Sequence, residues 1–188
     1  MSKMTHVVTG PKTILSYLNV NEPKAAPGGK PKYSASLIIS KDDTDTLDKI
    51  HKAIEAAYEE GEGKLKGNGR TVPPLAAIKT PLRDGDLERP DDPAYQNSFF
   101  LNANNPRKPG VVDAHCNPIT DTSELYSGII GRVSINFYAF SVNGNRGIAC
   151  SLNNIQKLED GTPLGSHISA AEDFAAFKAA DGADDFLN

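Results

Sequence analysis

The sequence predicts a mainly β protein with one or two helices, arranged as a small Greek-key barrel with long loops. Short alternating runs, one amphipathic helix and abundant turn residues support this, with 16 Gly and 13 Pro among 188 residues. Eight of the prolines lie between Pro73 and Pro118. Proline removes a backbone donor and blocks the preceding helical turn, so long helices are excluded there. Short strands around an interposed helix are typical of a small barrel.

Two-residue alternation of apolar and polar side chains marks the strands. We predict strands over 13–18, 32–40, 98–103, 128–142 and 146–158. The strongest signal is the run GIIGRVSINFYAFSV from Gly128 to Val142. One of its faces carries Val133, Ile135, Phe137 and Ala139, and the other carries Arg132, Ser134, Asn136, Tyr138 and Phe140. The Gly-containing turn at 143–145 joins this strand to the next as a β-hairpin.

One helix is predicted between the capping residues 42–44 and the glycine stop at Gly61, with apolar residues at helical spacing. A second, short helix is predicted from the capping box that begins at Ser169, with Phe174 and Phe177 on one face. We therefore divide the chain into a barrel domain over 1–170 and a short helix with an acidic tail over 171–188.

The net charge of −4 is concentrated at the C-terminus, because 171–188 holds five acidic residues and one basic residue. The body is neutral, which leaves both a basic groove and an ordinary mixed surface open. No run approaches the roughly 20 apolar residues of a membrane span, and the N-terminus lacks the pattern of a secretory signal. Two cysteines cannot form a disulfide framework, so a reducing cytoplasm is expected.

No motif in the sequence indicates catalysis. Asp113, His115 and Cys116 could begin a metal site, but no second Cys/His cluster accompanies them, and a structural role is favoured. The alternating carboxylates of Asp84, Asp86 and Glu88 leave a metal-dependent nuclease open as an alternative. They lie in a Gly/Pro-rich loop, where acids commonly stabilise turns, whereas metal catalysis needs rigidly held carboxylates.

Nucleic-acid binding fits the aromatic and basic residues better. Single-strand binders combine a basic groove with aromatic faces on which bases stack. Arg132, Tyr138 and Phe140 share the strand face opposite the core, where a second sheet, a subunit interface or stacked bases would explain the two rings. Phe100 is predicted to join this platform, because it shares a face with Ser98 and Asn102.

Basic side chains are concentrated in the loops, where they either contact phosphates or are simply solvated. The candidate phosphate contacts are Lys32, Lys79, Arg83, Arg107 and Lys108. Further basic residues lie at Lys24, Lys30, Lys64, Lys66 and Arg70. The tail ends in Asp184, Asp185, Phe186 and Leu187, an acidic stretch with an apolar pair that could bind partner proteins or simply solubilise the terminus.

The joint order and spacing of five runs resemble a phage single-stranded-DNA-binding protein family over roughly residues 5–170. The runs are KYSASLIISKDD, TPLRDGD, NPRKPGVVD, YSGIIGRVSINFYAF and GIACSLNNIQKLEDGTPLG. The resemblance implies an OB-fold-like barrel that binds single-stranded DNA without strong sequence preference. It also implies a role in phage replication and recombination, in the cytoplasm of the bacterial host.

The binding role carries over from the resemblance to Arg132, Tyr138 and Phe140, as members of a matched run. No catalytic step, cofactor or metal is expected, and replication or recombination proteins are the expected partners of the tail. The chain closes with Asn188 after the apolar pair, which departs from the simplest tail pattern of such proteins. A protein-interaction or assembly module, with Tyr138 and Phe140 buried between subunits of a homo-oligomer, stays open as a second alternative.

Overall fold

The computed structural model describes residues 4–164 and 174–179. Its strands are β1 (His6–Val8), β2 (Thr13–Lys24), β3 (Lys32–Ser40), β4 (Arg83–Asp84), β5 (Ser98–Asn105), β6 (Gly110–Val112), β7 (Ile130–Val142) and β8 (Asn145–Glu159). Its α-helices are α1 (Thr44–Glu60), α2 (Glu62–Lys66) and α3 (Gly85–Glu88). Short 3₁₀ turns occur at Leu75–Ala77, Pro93–Tyr95, Thr122–Glu124 and Ala175–Phe177.

Five strands close into a barrel in the order β2-β3-β5-β8-β7 and back to β2. The pairing of β5 with β8 is parallel, and the other pairings around the ring are antiparallel. This is the Greek-key connectivity of an OB-type barrel, and it confirms the predicted fold class. β1 extends the sheet beside β7, and β6 extends it beside β8.

The barrel core contains the apolar face predicted for β7. Val133, Ile135, Phe137 and Ala139 are all buried in one cluster with the inward side chains of β3, β5 and β8. Helix α1 packs its apolar stripe against this cluster through residues such as Ile50 and Ile54. The Asp43 carboxylate caps α1 by accepting from the Thr46 backbone N–H, and Gly61 ends the helix, as predicted.

The predicted strands are confirmed, with changes at their ends. β2 continues to Lys24 beyond the predicted end, because Asn19 and Lys24 still pair with β3. A bulge at Tyr17, where φ is 46°, shifts the register between Ser16 and Asn19. The β7–β8 hairpin turns on Asn143 and Gly144, which have φ values of 49° and 81°. Two consecutive positive φ values match the twist that a two-residue hairpin needs.

The C-terminal prediction is only partly tested. The capping box at Ser169 and the tail beyond Ala179 lie outside the described residues, as does the boundary between 170 and 171. Phe174 and Phe177, predicted to share one helical face, are 61% and 82% exposed around the 3₁₀ turn Ala175–Phe177. Within the described part of the chain, no helix is long and apolar enough to cross a membrane.

Candidate nucleic-acid interface

Tyr138 presents its ring on the outer surface of the barrel. It lies on β7 between the buried Phe137 and Ala139, and its side chain is 42% exposed. Partial burial raises the pKa of the Tyr138 phenol, so the hydroxyl stays neutral at physiological pH. A half-exposed ring with a fixed strand backbone is suited to stacking on a nucleobase.

Two depressions meet at Tyr138, and each contains a lysine. One, of about 390 Å³, is lined by Lys32, Asn104 and Ser151 as well as Tyr138. The other, of about 370 Å³, is lined by Lys64 together with Tyr138. Glu60 lines both depressions, so one carboxylate accompanies the two ammonium groups. The structure therefore brings an exposed aromatic ring and two cationic side chains to one surface.

Phe140 continues this surface toward Lys79. Phe140 is opposite Gly147 on β8, and the Ile148 backbone N–H donates to the carbonyl of Lys79 at 2.8 Å. A Cβ atom at Gly147 would lie 3.1 Å from both the Lys79 Cβ and the Phe140 Cε1. Glycine at this position thus allows Lys79 and the half-buried Phe140 to approach each other.

A row of small polar side chains crosses the barrel beside Tyr138. The strand registers align Asn19, Ser34, Asn104, Ser151 and Asn136 on five consecutive strands. Neighbouring strands are about 4.8 Å apart, so the row extends for roughly 19 Å around the barrel. We call these five residues the polar row. The half-buried members of the row can hydrogen-bond to bases, sugars or phosphates without imposing a net charge. Asn136 is 4% exposed and hydrogen-bonded to Thr5 and Asn153, so it anchors the end of the row.

The basic loop of Arg107 and Lys108 borders the polar row. Asn105, at the end of β5, donates to the Leu152 carbonyl at 3.0 Å and accepts from the Arg107 backbone N–H at 3.0 Å. These bonds tie the start of the loop to β8. The Arg107 and Lys108 side chains are exposed, and the preceding Pro106 lines the Lys32 depression.

Arg132 and Arg83 lie apart from Tyr138. Arg132 is exposed on the same outer side of β7, but six residues of strand separate it from Tyr138, which is about 20 Å. Arg83 forms an ion pair with Glu88 at 3.5 Å inside the acidic segment 84–92. The structure therefore gathers Lys32, Lys79 and the 107–108 loop near the exposed ring, but not these two arginines.

The prediction that Phe100 belongs to the stacking platform is wrong. Its side chain is 1% exposed and packs with Tyr95 at a ring-centroid distance of 5.0 Å, beside Ile38. The segment that contains Tyr95 folds back over the outer side of β3 and β5. This segment therefore covers the strand face of Ser98, Phe100 and Asn102 at Phe100, and of these three residues only Asn102 is exposed to solvent.

The carboxylates of the nuclease alternative have structural partners. The Lys41 ammonium contacts Asp84 at 2.9 Å and Asp86 at 2.7 Å, and Glu88 is paired with Arg83. The hydrogen bond from Lys41 lowers the pKa of Asp86. Asp84 also caps α3 by accepting from the Asp86 backbone N–H. Residues with these contacts stabilise the loop, and they do not form the open carboxylate cluster that a divalent cation needs.

The Asp113 region is a hydrogen-bonded turn. The Asp113 carboxylate accepts from the backbone N–H groups of His115 and Asn117 at 2.8 and 2.9 Å. The bond from Asn117, and to a lesser degree that from His115, lowers the pKa of Asp113. Within residues 4–164 and 174–179, no group of His, Cys, Asp and Glu has an arrangement that could hold a metal ion.

Sequence reasoning missed Tyr17 and gave Lys64 no role in binding. Tyr17 is 58% exposed, and the Arg89 guanidinium lies 5.5 Å from its ring centroid while donating to its hydroxyl at 3.1 Å. That hydrogen bond raises the pKa of Arg89. The run TILSYL contains nothing that indicates the bulge that turns Tyr17 outward. Lys64 is adjacent to Tyr138 only because α1 and α2 return to β7.

The comparisons with known proteins concern the family and the fold of this chain. The model of a family described as Enterobacter phage Enc34, ssDNA-binding protein, matches residues 5–187. Protein p50 of Acyrthosiphon pisum secondary endosymbiont phage 1 is 29% identical over 168 residues, which cover 85% of this chain and 88% of that protein.

Two solved structures of phage proteins share the fold. The single-stranded DNA-binding protein from bacteriophage Enc34, in complex with ssDNA, gives a TM-score of 0.72 at 22% identity, over 87% of this chain and 91% of its own. The bacteriophage T7 single-stranded DNA binding protein gp2.5 gives 0.57 at 17% identity, over 94% and 96%. Because the family match extends over nearly the whole sequence, this chain belongs to the family of the Enterobacter phage Enc34 single-stranded-DNA-binding protein.

Proposed function

We propose that this protein binds and coats single-stranded DNA, without strong sequence preference, during phage DNA replication and recombination in the cytoplasm of the bacterial host. The observation that carries the proposal is the exposed ring of Tyr138 between two lysine-containing depressions on an OB-type barrel. Family membership supports it independently. We call Lys32, Lys64, Asn104, Tyr138, Phe140 and Ser151 the Tyr138 face.

The Tyr138 face would bind DNA in two ways. The Tyr138 ring would stack on a base, which works for all four bases because each has a π-face. The lysines of the face, with Lys79 and the 107–108 loop, would neutralise phosphates and release counterions. Neither contact involves a bond-breaking step, so we propose a binding protein and not an enzyme.

The proposal is tested by titrating the protein with single-stranded and double-stranded DNA of one sequence at several salt concentrations. We expect tighter binding to the single strand, because paired and stacked bases cannot reach Tyr138. If about four phosphates are neutralised, log K should fall against log salt with a slope of about −3. Equal affinity for both DNA forms, or a binding constant that does not change with salt, would contradict the proposal.

The acidic tail gives a second prediction. The acids of 171–188 follow a body with balanced charge, so a tethered anionic segment could compete with DNA for the basic side chains. Asp184, Asp185, Phe186 and Leu187 would then be released for replication or recombination partners when DNA binds. Deleting 181–188 should tighten single-strand binding, most clearly at low salt where screening is weakest, and should leave Tm nearly unchanged. A truncated protein that binds no more tightly at low salt would contradict self-inhibition.

The assembly alternative makes a different prediction for the same face. If Tyr138 and Phe140 are covered by a second copy of the chain, the oligomer should dissociate when Tyr138 is replaced by Ala, whether or not DNA is present. If the face binds DNA, the oligomeric state of the DNA-free protein should not change. Sedimentation of both proteins with and without an oligonucleotide distinguishes the two.

A further inference from the structure

A third depression opens behind Tyr17, at the opposite end of the polar row from Tyr138. It has a volume of about 430 Å³ and lies between β2 and the 3₁₀ turn Pro93–Tyr95. Its polar lining includes Ser16, Tyr17, Asp92 and Tyr95. This volume is within the range of sites that bind small organic groups. None of the contacts proposed above uses the cavity.

Tyr95 is part of the lining of this cavity, and its buried hydroxyl has no hydrogen-bond partner among the described residues. Its side chain is 1% exposed, and the hydroxyl makes no hydrogen bond within the described part of the chain. A buried polar group without a partner destabilises the folded protein. Such groups are therefore uncommon unless a ligand supplies the missing hydrogen bond. The ring is held edge-on by Phe100, so its position is fixed by packing.

Asp92 supplies an acceptor to the same cavity. Its Oδ1 accepts from the Ala94 backbone N–H at 3.0 Å, which caps the 3₁₀ turn. Among residues 4–164 and 174–179, no donor contacts the other carboxylate oxygen. Two residues of the lining thus carry polar groups without a hydrogen-bond partner among the described residues, a carboxylate oxygen of Asp92 and the hydroxyl of Tyr95. A carboxylate oxygen accepts from a planar group that carries an amino donor.

Tyr17 and Arg89 form the outer wall. Tyr17 has a positive φ of 46°, a conformation that is uncommon outside glycine and often occurs at functional sites. The Arg89 guanidinium lies 5.3 Å from the Tyr95 ring centroid as well as over Tyr17, so it links the two sides of the entrance. The acids of 84–92 make this region electronegative, and Arg89 supplies the positive charge that a phosphate would need there.

The polar row leads to this entrance, because its last member, Asn19, is two residues from Tyr17. We propose that the cavity takes one unstacked base from a single strand that lies along the polar row, and that it prefers cytosine to thymine. The cytosine N4 amino group would donate to Asp92, whereas thymine presents an O4 acceptor that the carboxylate repels. This inference rests on the proposed single-strand binding.

The test compares (dC) and (dT) oligonucleotides of equal length as probes for four proteins. These are the unchanged protein, Asp92→Asn, Tyr95→Phe and the control Asp91→Asn. The Asp92→Asn side chain can keep the capping oxygen on Ala94 while presenting an N–H in place of the free oxygen. Asp91→Asn removes the same charge from a neighbouring residue that does not line the cavity.

We expect the unchanged protein to prefer (dC) by about fivefold, the effect of a single hydrogen bond. Asp92→Asn should abolish or reverse that preference, and Asp91→Asn should keep it. Tyr95→Phe should weaken (dC) binding severalfold without lowering Tm, because the lost hydroxyl makes no hydrogen bond with the described residues of the DNA-free protein.

The same (dC)/(dT) ratio in Asp92→Asn as in the unchanged protein would overturn the proposal. If Asp91→Asn changed the (dC)/(dT) ratio as much as Asp92→Asn does, the effect would come from overall charge, and the proposal would also be overturned. Undiminished (dC) binding by Tyr95→Phe would overturn it as well. Failure of the unchanged protein to bind either oligonucleotide would instead refute the proposed function itself, so the two failures are distinct.

Discussion

Replacing Tyr138 with Ala is expected to weaken single-strand binding by about 1–3 kcal/mol, roughly fivefold to 150-fold. The ring is 42% exposed, and its neighbours Phe137 and Ala139 supply the core packing on this part of β7. Little stability should therefore be lost when the ring is removed. The loss of affinity should be similar for different sequences, since stacking uses the face of each base and not its hydrogen-bonding edge.

Two further variants make this measurement specific. Tyr138→Phe keeps the ring and should keep most of the affinity. Leu87→Ala removes a side chain that is 79% exposed on the acidic segment, and should leave DNA binding unchanged. Unaltered affinity of Tyr138→Ala together with a large fall in Tm would show that the ring contributes to folding or assembly and not to DNA binding.

Reversing the charge of the two lysines beside Tyr138 should have an effect of similar size. The double variant Lys32→Glu, Lys64→Glu replaces attraction for phosphates with repulsion. At low salt we expect a loss of about 2–3 kcal/mol in binding free energy. If each lysine neutralises one phosphate, the plot of log K against log salt should become less steep by about 1.4. Fluorescence titration at three or more salt concentrations measures both quantities.

A control variant with the same net charge distinguishes the effect of lysines at the Tyr138 face from the effect of the protein's overall charge on DNA binding. Lys49 and Lys52 are exposed on α1, roughly 16 and 12 Å along the helix from its end at Glu60. The variant Lys49→Glu, Lys52→Glu should weaken binding much less than Lys32→Glu, Lys64→Glu. An equal loss in the two variants would mean that net charge, and not the Tyr138 face, determines the affinity.

The sequence predicted those parts of the fold that depend on local pattern. β7 has one buried face, so its two-residue period identified Val133 and Phe137 as core and Tyr138 as outward. Helix α1 has a side-chain cap at Asp43 and a glycine at its end, so its bounds were also readable. Both features are set by residues near one another in the chain.

The errors concern features that depend on distant segments. Phe100 alternates correctly to the outer side of β5, but Tyr95 covers that side, and alternation does not reveal a covering loop. Lys64 joins Tyr138 through the packing of α1 and α2 on β7, which no linear spacing encodes. The bulge at Tyr17 depends on the pairing register between β2 and β3, which the regular apolar run of β2 does not reveal.

The central claim is that a single strand lies across the Tyr138 face. It is tested most directly by cross-linking the protein to a single-stranded oligonucleotide that carries photoreactive thymine analogues, followed by mass spectrometry of the peptides. We predict cross-links on Tyr138 and on residues beside it, and their loss in the Lys32→Glu, Lys64→Glu variant. Efficient cross-linking that leaves the residues of the Tyr138 face unmodified and falls elsewhere on the barrel would contradict this claim.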